Sequence, residues 1–259
     1  VMKARENWML QRLISLEGEE VVLKTFEDPG GDKIKTVRNY INIMAGGNNT
    51  ASGIASKALR NDKDRELVIS EAADRIKNGS KDASIYIGFL GSLNDRSVLP
   101  ILIEALKDRK GMDRYSAIEA IGKLGGYKEI EGILMEILVD GNEGGVRAHA
   151  ARALGKLGDK KAVDTLIKIA QDDKEIKNIK MGVIAALGDI KDKKAIEPLT
   201  KIIKNTQNDV WLRVAAISSL GDIGDENSIA VIQEAASNDS TGYIKGAAEI
   251  ALRKIKTGK

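Results

Sequence analysis

A two-part helical phrase that recurs about every 33 residues constrains the fold of this chain more than any other feature. In the copy between Val146 and Asp173, the first half places apolar residues at steps of three and four, namely Val146, Ala150, Ala153, Leu154 and Leu157. The second half repeats that spacing with Ala162, Val163, Leu166, Ile167 and Ala170. Gly158 and Asp159, between the halves, supply a turn and a helix-capping carboxylate. Each phrase therefore predicts two amphipathic helices joined by a tight turn.

The Leu154-Gly155 pair marks the register of the repeat. Equivalent pairs stand at Leu90-Gly91, Ile121-Gly122, Leu187-Gly188, Leu220-Gly221 and Leu252-Arg253, with successive steps of 31, 33, 33, 33 and 32 residues. A period this constant is typical of solenoids, in which each helical pair buries its apolar face against its neighbours. Because no segment alternates strictly between apolar and polar residues, the pattern predicts an all-α chain without strands.

Two further columns of similar residues keep this register. A basic residue stands eight positions before the second residue of five of the six pairs, at Arg114, Arg147, Lys180, Arg213 and Lys245. An aspartate stands four positions after the second residue at Asp95, Asp159, Asp192 and Asp225, with a gap at Gly126. With these columns the chain resembles the HEAT-like repeat family, in the short prokaryotic variety found in phycobilisome bilin lyases. The resemblance implies an α-α superhelix, a right-handed solenoid of stacked HEAT-like helical pairs.

The resemblance also implies a ladder of ion pairs between successive repeats. In the family the aspartate of one repeat meets the basic residue of the next. By resemblance, the pairs in this chain are Asp159 with Lys180, Asp192 with Arg213, and Asp225 with Lys245.

The N-terminal part of the chain follows the repeat less regularly. Residues 1–48 are predicted to form an irregular helical segment or cap, with helices over residues 2–15, Glu19 to Phe26 and Lys33 to Met44. Residues 49–259 are predicted to form one continuous solenoid that starts with the helices Thr50 to Leu59 and Arg65 to Lys77 and ends with Ile244 to Ile255 as a cap. The place of the Lys33 to Met44 helix in the repeat is open, since Arg38 matches the basic column but the following spacing does not.

The charge balance gives little attraction to nucleic acid or to an anionic membrane. The chain carries 41 basic and 38 acidic residues, a net charge of +3. The one notable surplus of positive charge lies between Lys156 and Lys204, with 12 lysines against 8 acidic residues.

The absence of cysteine excludes disulfides and thiolate metal sites. Without an apolar run or a signal-peptide pattern the chain is predicted to be cytoplasmic, with an exported mature form as the open alternative.

Residues that could support catalysis are sparse. His149 is the only histidine, whereas the HEAT-like deoxyhypusine hydroxylases bind iron through repeated His-Glu pairs, so that activity is excluded. His149 is predicted to be a packed or surface residue. Neither a P-loop nor a Gly-x-Gly-x-x-Gly motif occurs. We therefore predict a non-enzymatic protein with no catalytic residue, no metal site and no cofactor.

The outward residues of the second helices vary from repeat to repeat, as expected of a surface that is specific for one partner. The predicted partner-binding residues follow one another along this surface and suit an acidic peptide or protein; they are Met135, Lys168, Lys201 and Lys204. The alternative is a merely solvated face, with Asp164–Lys168 and Glu197–Lys201 as intrahelical ion pairs.

The predicted function is a protein-protein interaction scaffold that binds its partner on a concave face. A nucleic-acid-binding or DNA-repair solenoid is the second hypothesis, although Glu104 and Glu234 interrupt the lysine column, and a lyase-type accessory subunit is the third.

Overall fold

The computed structural model describes residues 12, 14–15, 18–46, 49–61, 63–108, 112–124, 128–140, 144–239 and 241–258. Within these ranges the chain is helical and has no strand. The predicted fold class, an all-α chain of the α-α superhelix type built from stacked HEAT-like helical pairs, is confirmed. The helix predicted over residues 2–15 lies almost entirely outside the described residues.

Fifteen α-helices are present in the described part of the chain. They are α1 Glu19–Lys24, α2 Lys33–Ala45, α3 Asn49–Asn61, α4 Arg65–Lys77, α5 Ala83–Ser92, α6 Leu99–Asp108, α7 Met112–Leu124, α8 Lys128–Val139, α9 Gly144–Leu157, α10 Val163–Gln171, α11 Lys177–Ile190, α12 Ile196–Lys204, α13 Val210–Ile223, α14 Ile229–Ser237 and α15 Tyr243–Thr257. The helices predicted from Thr50, Arg65 and Ile244 are thus confirmed within a few residues.

The chain divides into two compact units, Val1–Ala120 and Ile121–Lys259, called unit 1 and unit 2 below. Each unit is described separately. The predicted boundary between residues 1–48 and 49–259, with one continuous solenoid after it, stays a prediction.

Unit 2 contains the most regular repeats. Its first helices, α9, α11, α13 and α15, pack directly on one another, and each second helix, α8, α10, α12 or α14, packs on the first helix that follows it. The apolar stripes of these helices form the core, in which Leu154, Leu166 and Leu187 are fully buried. The first helices approach closely because the glycines of the register face small residues of the next helix, as Gly155 faces Ala186. Apolar periodicity therefore creates the core, and the glycine column sets the spacing of its helices.

The turns inside the repeats of unit 2 share one geometry. Asp159, Asp192 and Asp225 each accept a hydrogen bond from the backbone N–H two residues later, at 2.9–3.0 Å. Each thereby begins a three-residue 3-10 helix, Lys160–Ala162, Lys193–Ala195 or Glu226–Ser228, that leads into the second helix. The sequence correctly predicted a capping carboxylate here, but not the 3-10 turn.

In unit 1, α2 takes the position of a second helix. Asp32 caps it by accepting from the Lys35 N–H at 3.2 Å, and α2 then packs on α3 and α4. Arg38 donates from Nε to both oxygens of Glu71, at 3.0 and 2.9 Å, and so links α2 to α4. Arg38 therefore lies outside the basic column, which belongs to first helices. The open question of where this helix stands in the repeat is resolved.

Candidate protein-binding surface

The four predicted partner-binding residues lie on three second helices of unit 2. Met135 is half-buried on α8, Lys168 is exposed on α10, and Lys201 and Lys204 are exposed on α12. The helices α10, α12 and α14 pack side by side. We call the exposed residues of these second helices, together with Met135, the second-helix surface.

Most charges of this surface are already paired with neighbours. Lys201 Nζ lies 2.9 Å from Glu197, an interaction that also holds the pKa of that carboxyl below its usual value, so the predicted Glu197–Lys201 pair is confirmed. Lys204 lies 3.9 Å from Glu234 on α14. The predicted Asp164–Lys168 pair is wrong, because Asp164 instead contacts Lys194 at 3.3 Å. Lys168 consequently has no ion pair among the described residues.

Ion pairs across successive repeats follow columns that differ from those implied by the resemblance. Lys161 contacts Glu131 at 3.2 Å, and Lys194 contacts Asp164 in the same relation one repeat later. Asp225 pairs with Lys193, at 3.0 Å, which is the main reason why the pKa of Asp225 is lowered. All three pairs join the turn before a second helix to an adjacent repeat.

The ladder of Asp159 with Lys180, Asp192 with Arg213, and Asp225 with Lys245 is therefore wrong. The aspartates are engaged by the backbone of their own turns. The arginines of the column instead close the ends of the preceding second helices: Arg147 Nε donates to the Leu138 carbonyl at 2.8 Å, and Arg213 Nε donates to the Ile203 carbonyl at 2.9 Å. Cations at this position suit the negative end of a helix dipole.

A cavity of about 180 Å³ opens beside Lys201, where α10 and α12 end and the next first helices begin. Its polar lining comes from Gln171, Asp173, Lys180, Lys201, Asn205 and Asn208, and its apolar lining from Ala170, Ile184, Ile202 and Leu212. Of the four predicted binding residues, the cavity includes only Lys201. Sequence reasoning missed Lys180, Asn205 and Asn208. The available signal was a lysine in a column where the neighbouring repeats carry arginine.

A second cavity, of about 330 Å³, lies in unit 1 between α4 and α6. Its charged lining residues are Asp74, Lys77 and Glu104, and Ile76 and Ile101 supply apolar walls. With two acidic groups against one basic group, this cavity does not favour an acidic ligand. It therefore differs in charge from the cavity of unit 2.

An exposed aromatic pair marks the start of two first helices in unit 2. Trp211 and Tyr243 are 45% and 55% exposed, and their ring centroids lie 4.9 Å apart with a 43° tilt between the planes. The stacking of successive repeats brings these residues, 32 positions apart, into contact.

On the first helices of unit 2, Asp189 carries a carboxylate whose ionised form is disfavoured. Partial burial and the nearby Asp222 raise the pKa of Asp189, while Lys156, Lys191 and Lys254 oppose the shift. A carboxyl with a raised folded-state pKa contributes stability that is fully present below its unfolded pKa and is lost as the pH rises through the folded value. Ionised Asp189 therefore destabilises unit 2 at neutral pH.

We accordingly expect Asp189→Asn to raise the denaturation midpoint at pH 7. This gain over the unmodified protein should vanish near about pH 3, where the aspartate is protonated in both states. Urea unfolding followed by circular dichroism at both pH values checks the expectation. Glu249→Gln, an exposed substitution on α15, serves as the control. An equal gain at both pH values would contradict the electrostatic explanation.

Two further features of the described residues concern metal binding and membrane insertion. No group of three or more His, Cys, Asp or Glu side chains lies close enough to hold a metal ion in the part of the chain that the structure describes. None of the helices in the described ranges is long and apolar enough to cross a membrane.

The sequence and the structure were compared with known proteins. The family model for HEAT repeats matches residues 130–211 and 178–253, which include most of unit 2. The repeats are thus those of an all-helical repeat protein. Over residues 130–253 the chain consists of HEAT-like repeats, as its recurring columns predict. No curated protein sequence matches it significantly.

Solved structures resemble the chain in fold. An engineered protein superposes with a TM-score of 0.50 at 17% identity, over 96% of this chain and 71% of that chain. Human deoxyhypusine hydroxylase in complex with glycerol gives 0.44 at 19% identity, over 96% and 99%. The complex of CpcE and CpcF of phycocyanin lyase from Nostoc sp. gives 0.48 at 17% identity, over 86% and 88%. At these identities the likenesses concern the fold alone.

Proposed function

We propose that this protein is a non-enzymatic scaffold that binds an acidic segment of another protein along the second-helix surface of unit 2. Met135, Lys168, Lys201 and Lys204 would make the contacts. The observation that carries the proposal is Lys168, an exposed cation that has no ion pair within the described residues. It lies on α10, which packs beside the helix that bears Lys201 and Lys204.

The energetic cost of engaging the other two lysines is small. The side chains of Lys201 and Lys204 are 64% and 60% exposed, and those of their partners Glu197 and Glu234 are 79% and 61% exposed. Exposed ion pairs of this kind contribute about 0–1 kcal/mol each. An incoming carboxylate can therefore replace either partner with little loss, and complementary charge would speed association and fix its register. Met135 offers an adaptable apolar contact at the edge of the same surface.

The test is a capture experiment on lysate of the native host with charge-reversed variants. The test variant carries Lys168→Glu, Lys201→Glu and Lys204→Glu. The control variant carries Lys160→Glu, Lys174→Glu and Lys256→Glu, which change the net charge equally at exposed positions without ion pairs among the described residues. Captured proteins are quantified by mass spectrometry, and circular dichroism verifies that both variants are folded.

We expect a protein partner that the unmodified chain and the control retain and the test variant loses. Its affinity, measured with the purified partner, should fall at least about tenfold, since each tenfold step is about 1.4 kcal/mol and three charges are reversed. Equal retention by all three chains would contradict the proposal. Capture that disappears after nuclease treatment would favour the nucleic-acid-binding alternative instead.

A further inference from the structure

The side chain of Lys180 is largely buried, and its ammonium group is poorly satisfied. Its side chain is only 10% exposed, and its one ion-pair contact is Asp173 at 3.9 Å. The Asp173 side chain is fully exposed, so this contact is long and solvated. Among the described residues, the ammonium has no hydrogen bond, although it carries three donors. These donors are therefore available to an anionic ligand.

The residues at the corresponding position of the two neighbouring repeats do have hydrogen-bond partners. Arg147 uses its guanidinium on both the Leu138 carbonyl and Glu175, and Arg213 reaches the Ile203 carbonyl. Lys180 stands in the same column of the repeat but does not close the end of a preceding helix in this way. Instead it lines the cavity of about 180 Å³ at the ends of α10 and α12.

Around the ammonium, the cavity offers what a carboxylate requires. Lys201 supplies a second cation at the cavity wall. Asn205 and Asn208 add polar side chains that already bond to the backbone, Asn205 accepting from the Gln207 N–H and Asn208 donating to the Ile202 carbonyl, each at 3.0 Å. Ile184, Ile202 and Leu212 provide an apolar wall that suits a short aliphatic stem. This combination fits an acidic side chain better than a compact inorganic anion, which has no apolar part to bury.

We propose that this cavity is the anchoring pocket for an acidic side chain, aspartate or glutamate, of the bound partner. The carboxylate would accept from the Lys180 ammonium, and its stem would contact the apolar wall. The inference rests on the proposed function, because Lys201 belongs both to the cavity and to the second-helix surface. Asp173 opposes an anion, but its exposed side chain is free to turn away when the partner's carboxylate replaces it.

Methyl NMR of the full chain can observe the surface and the cavity separately. The Met135 methyl reports binding to the second-helix surface, whereas the methyls of Ile184, Ile202 and Leu212 report occupation of the cavity. The probe is an acetylated and amidated peptide of eight glutamates, with the matching glutamine peptide and inorganic phosphate as comparisons. Lys180→Met and the more conservative Lys180→Gln remove the buried charge, and Lys191→Met removes an exposed lysine as the matched control.

We expect the glutamate peptide, and not the glutamine peptide, to shift both sets of methyl signals. Each Lys180 variant should remove the cavity shifts and weaken the peptide affinity about tenfold or more, whereas Lys191→Met should change neither. Both variants are expected to fold, since each keeps an unbranched side chain at this position and the ammonium makes only one long ion-pair contact, at 3.9 Å, among the described residues.

Three other results would overturn the inference. A shift at Met135 without shifts at the cavity would leave the proposed function standing and remove only the anchor. Cavity shifts with phosphate but not with the glutamate peptide would assign a free-anion site. The absence of any shift with the glutamate peptide would also exclude the anchor, and the proposed function would then depend on the capture experiment alone.

Discussion

Replacing Arg147 by alanine is expected to lower the free energy of unfolding by about 3–5 kcal/mol, the usual cost of removing one partner of a buried ion pair. The Arg147 guanidinium donates to both oxygens of Glu175, at 3.2 and 2.6 Å, and the two side chains are only 14% and 11% exposed. Its Nε also donates to the Leu138 carbonyl at the end of α8. Alanine would leave the Leu138 carbonyl without this donor and the largely buried Glu175 carboxylate without its cation, with the Ile176 N–H as its remaining hydrogen-bond donor.

The measurement is urea denaturation of the full chain, with the midpoint and the slope reported together. Arg152→Ala, which removes an exposed arginine from the same helix, is the control and should change stability by no more than about 0.5 kcal/mol. The double substitution Arg147→Met with Glu175→Leu should cost less than the sum of the single changes, because apolar residues tolerate the buried site. A loss below about 1 kcal/mol in Arg147→Ala would refute this role.

The helices of unit 2 could be predicted from sequence because each one carries a complete local signal. An apolar stripe at steps of three and four fixes the buried face, and a glycine or aspartate fixes the turn, as at Gly158 and Asp159. The 33-residue period then repeats that signal, so the error in one repeat is corrected by its neighbours. Unit 1 follows the period less closely, and the position of α2 as a second helix emerged only from its contacts with α3 and α4.

The ion pairs could not be predicted because long charged side chains choose among several partners of similar energy. Asp164 lies within reach of Lys168 in its own helix, yet it pairs with Lys194 of the next repeat. Asp192 was assigned to Arg213, but its carboxylate accepts from the Lys194 backbone instead. Residue type and spacing identify which groups are charged, whereas the partner depends on side-chain reach and on competing backbone donors.

The cavity beside Lys201 was missed for a related reason. It forms where the ends of α10 and α12 meet the beginnings of α11 and α13, so its lining residues are scattered through the sequence and share no motif. The exchange of arginine for lysine at position 180 was visible in the column. Its consequence, a buried ammonium facing a cavity, depends on how far the side chain reaches and could be found only in three dimensions.

The second large effect concerns the glycine that sets the spacing between first helices. A Cβ atom added at Gly155 would lie 2.7 Å from Ala186 Cα and 3.0 Å from Ala186 Cβ. These atoms belong to the adjacent helix α11 and cannot turn aside like the end of a flexible side chain. Gly155→Ala is therefore expected to destabilise the protein by about 1–3 kcal/mol, the usual cost of overpacking, and Gly155→Val by more.

The sign of the effect separates close packing from helix propensity. Alanine favours a helix interior over glycine by about 0.5–1 kcal/mol, so the same substitution should stabilise a site with free space around it. Gly132, inside α8, is such a site, because beyond its chain neighbours and the nearby backbone of its own helix no atom lies within 4 Å of its would-be Cβ. In parallel urea denaturations we expect Gly132→Ala to raise the midpoint and Gly155→Ala to lower it. If both substitutions raised the midpoint, the first helices would have room to separate, and the glycine column would reflect something other than close packing between them.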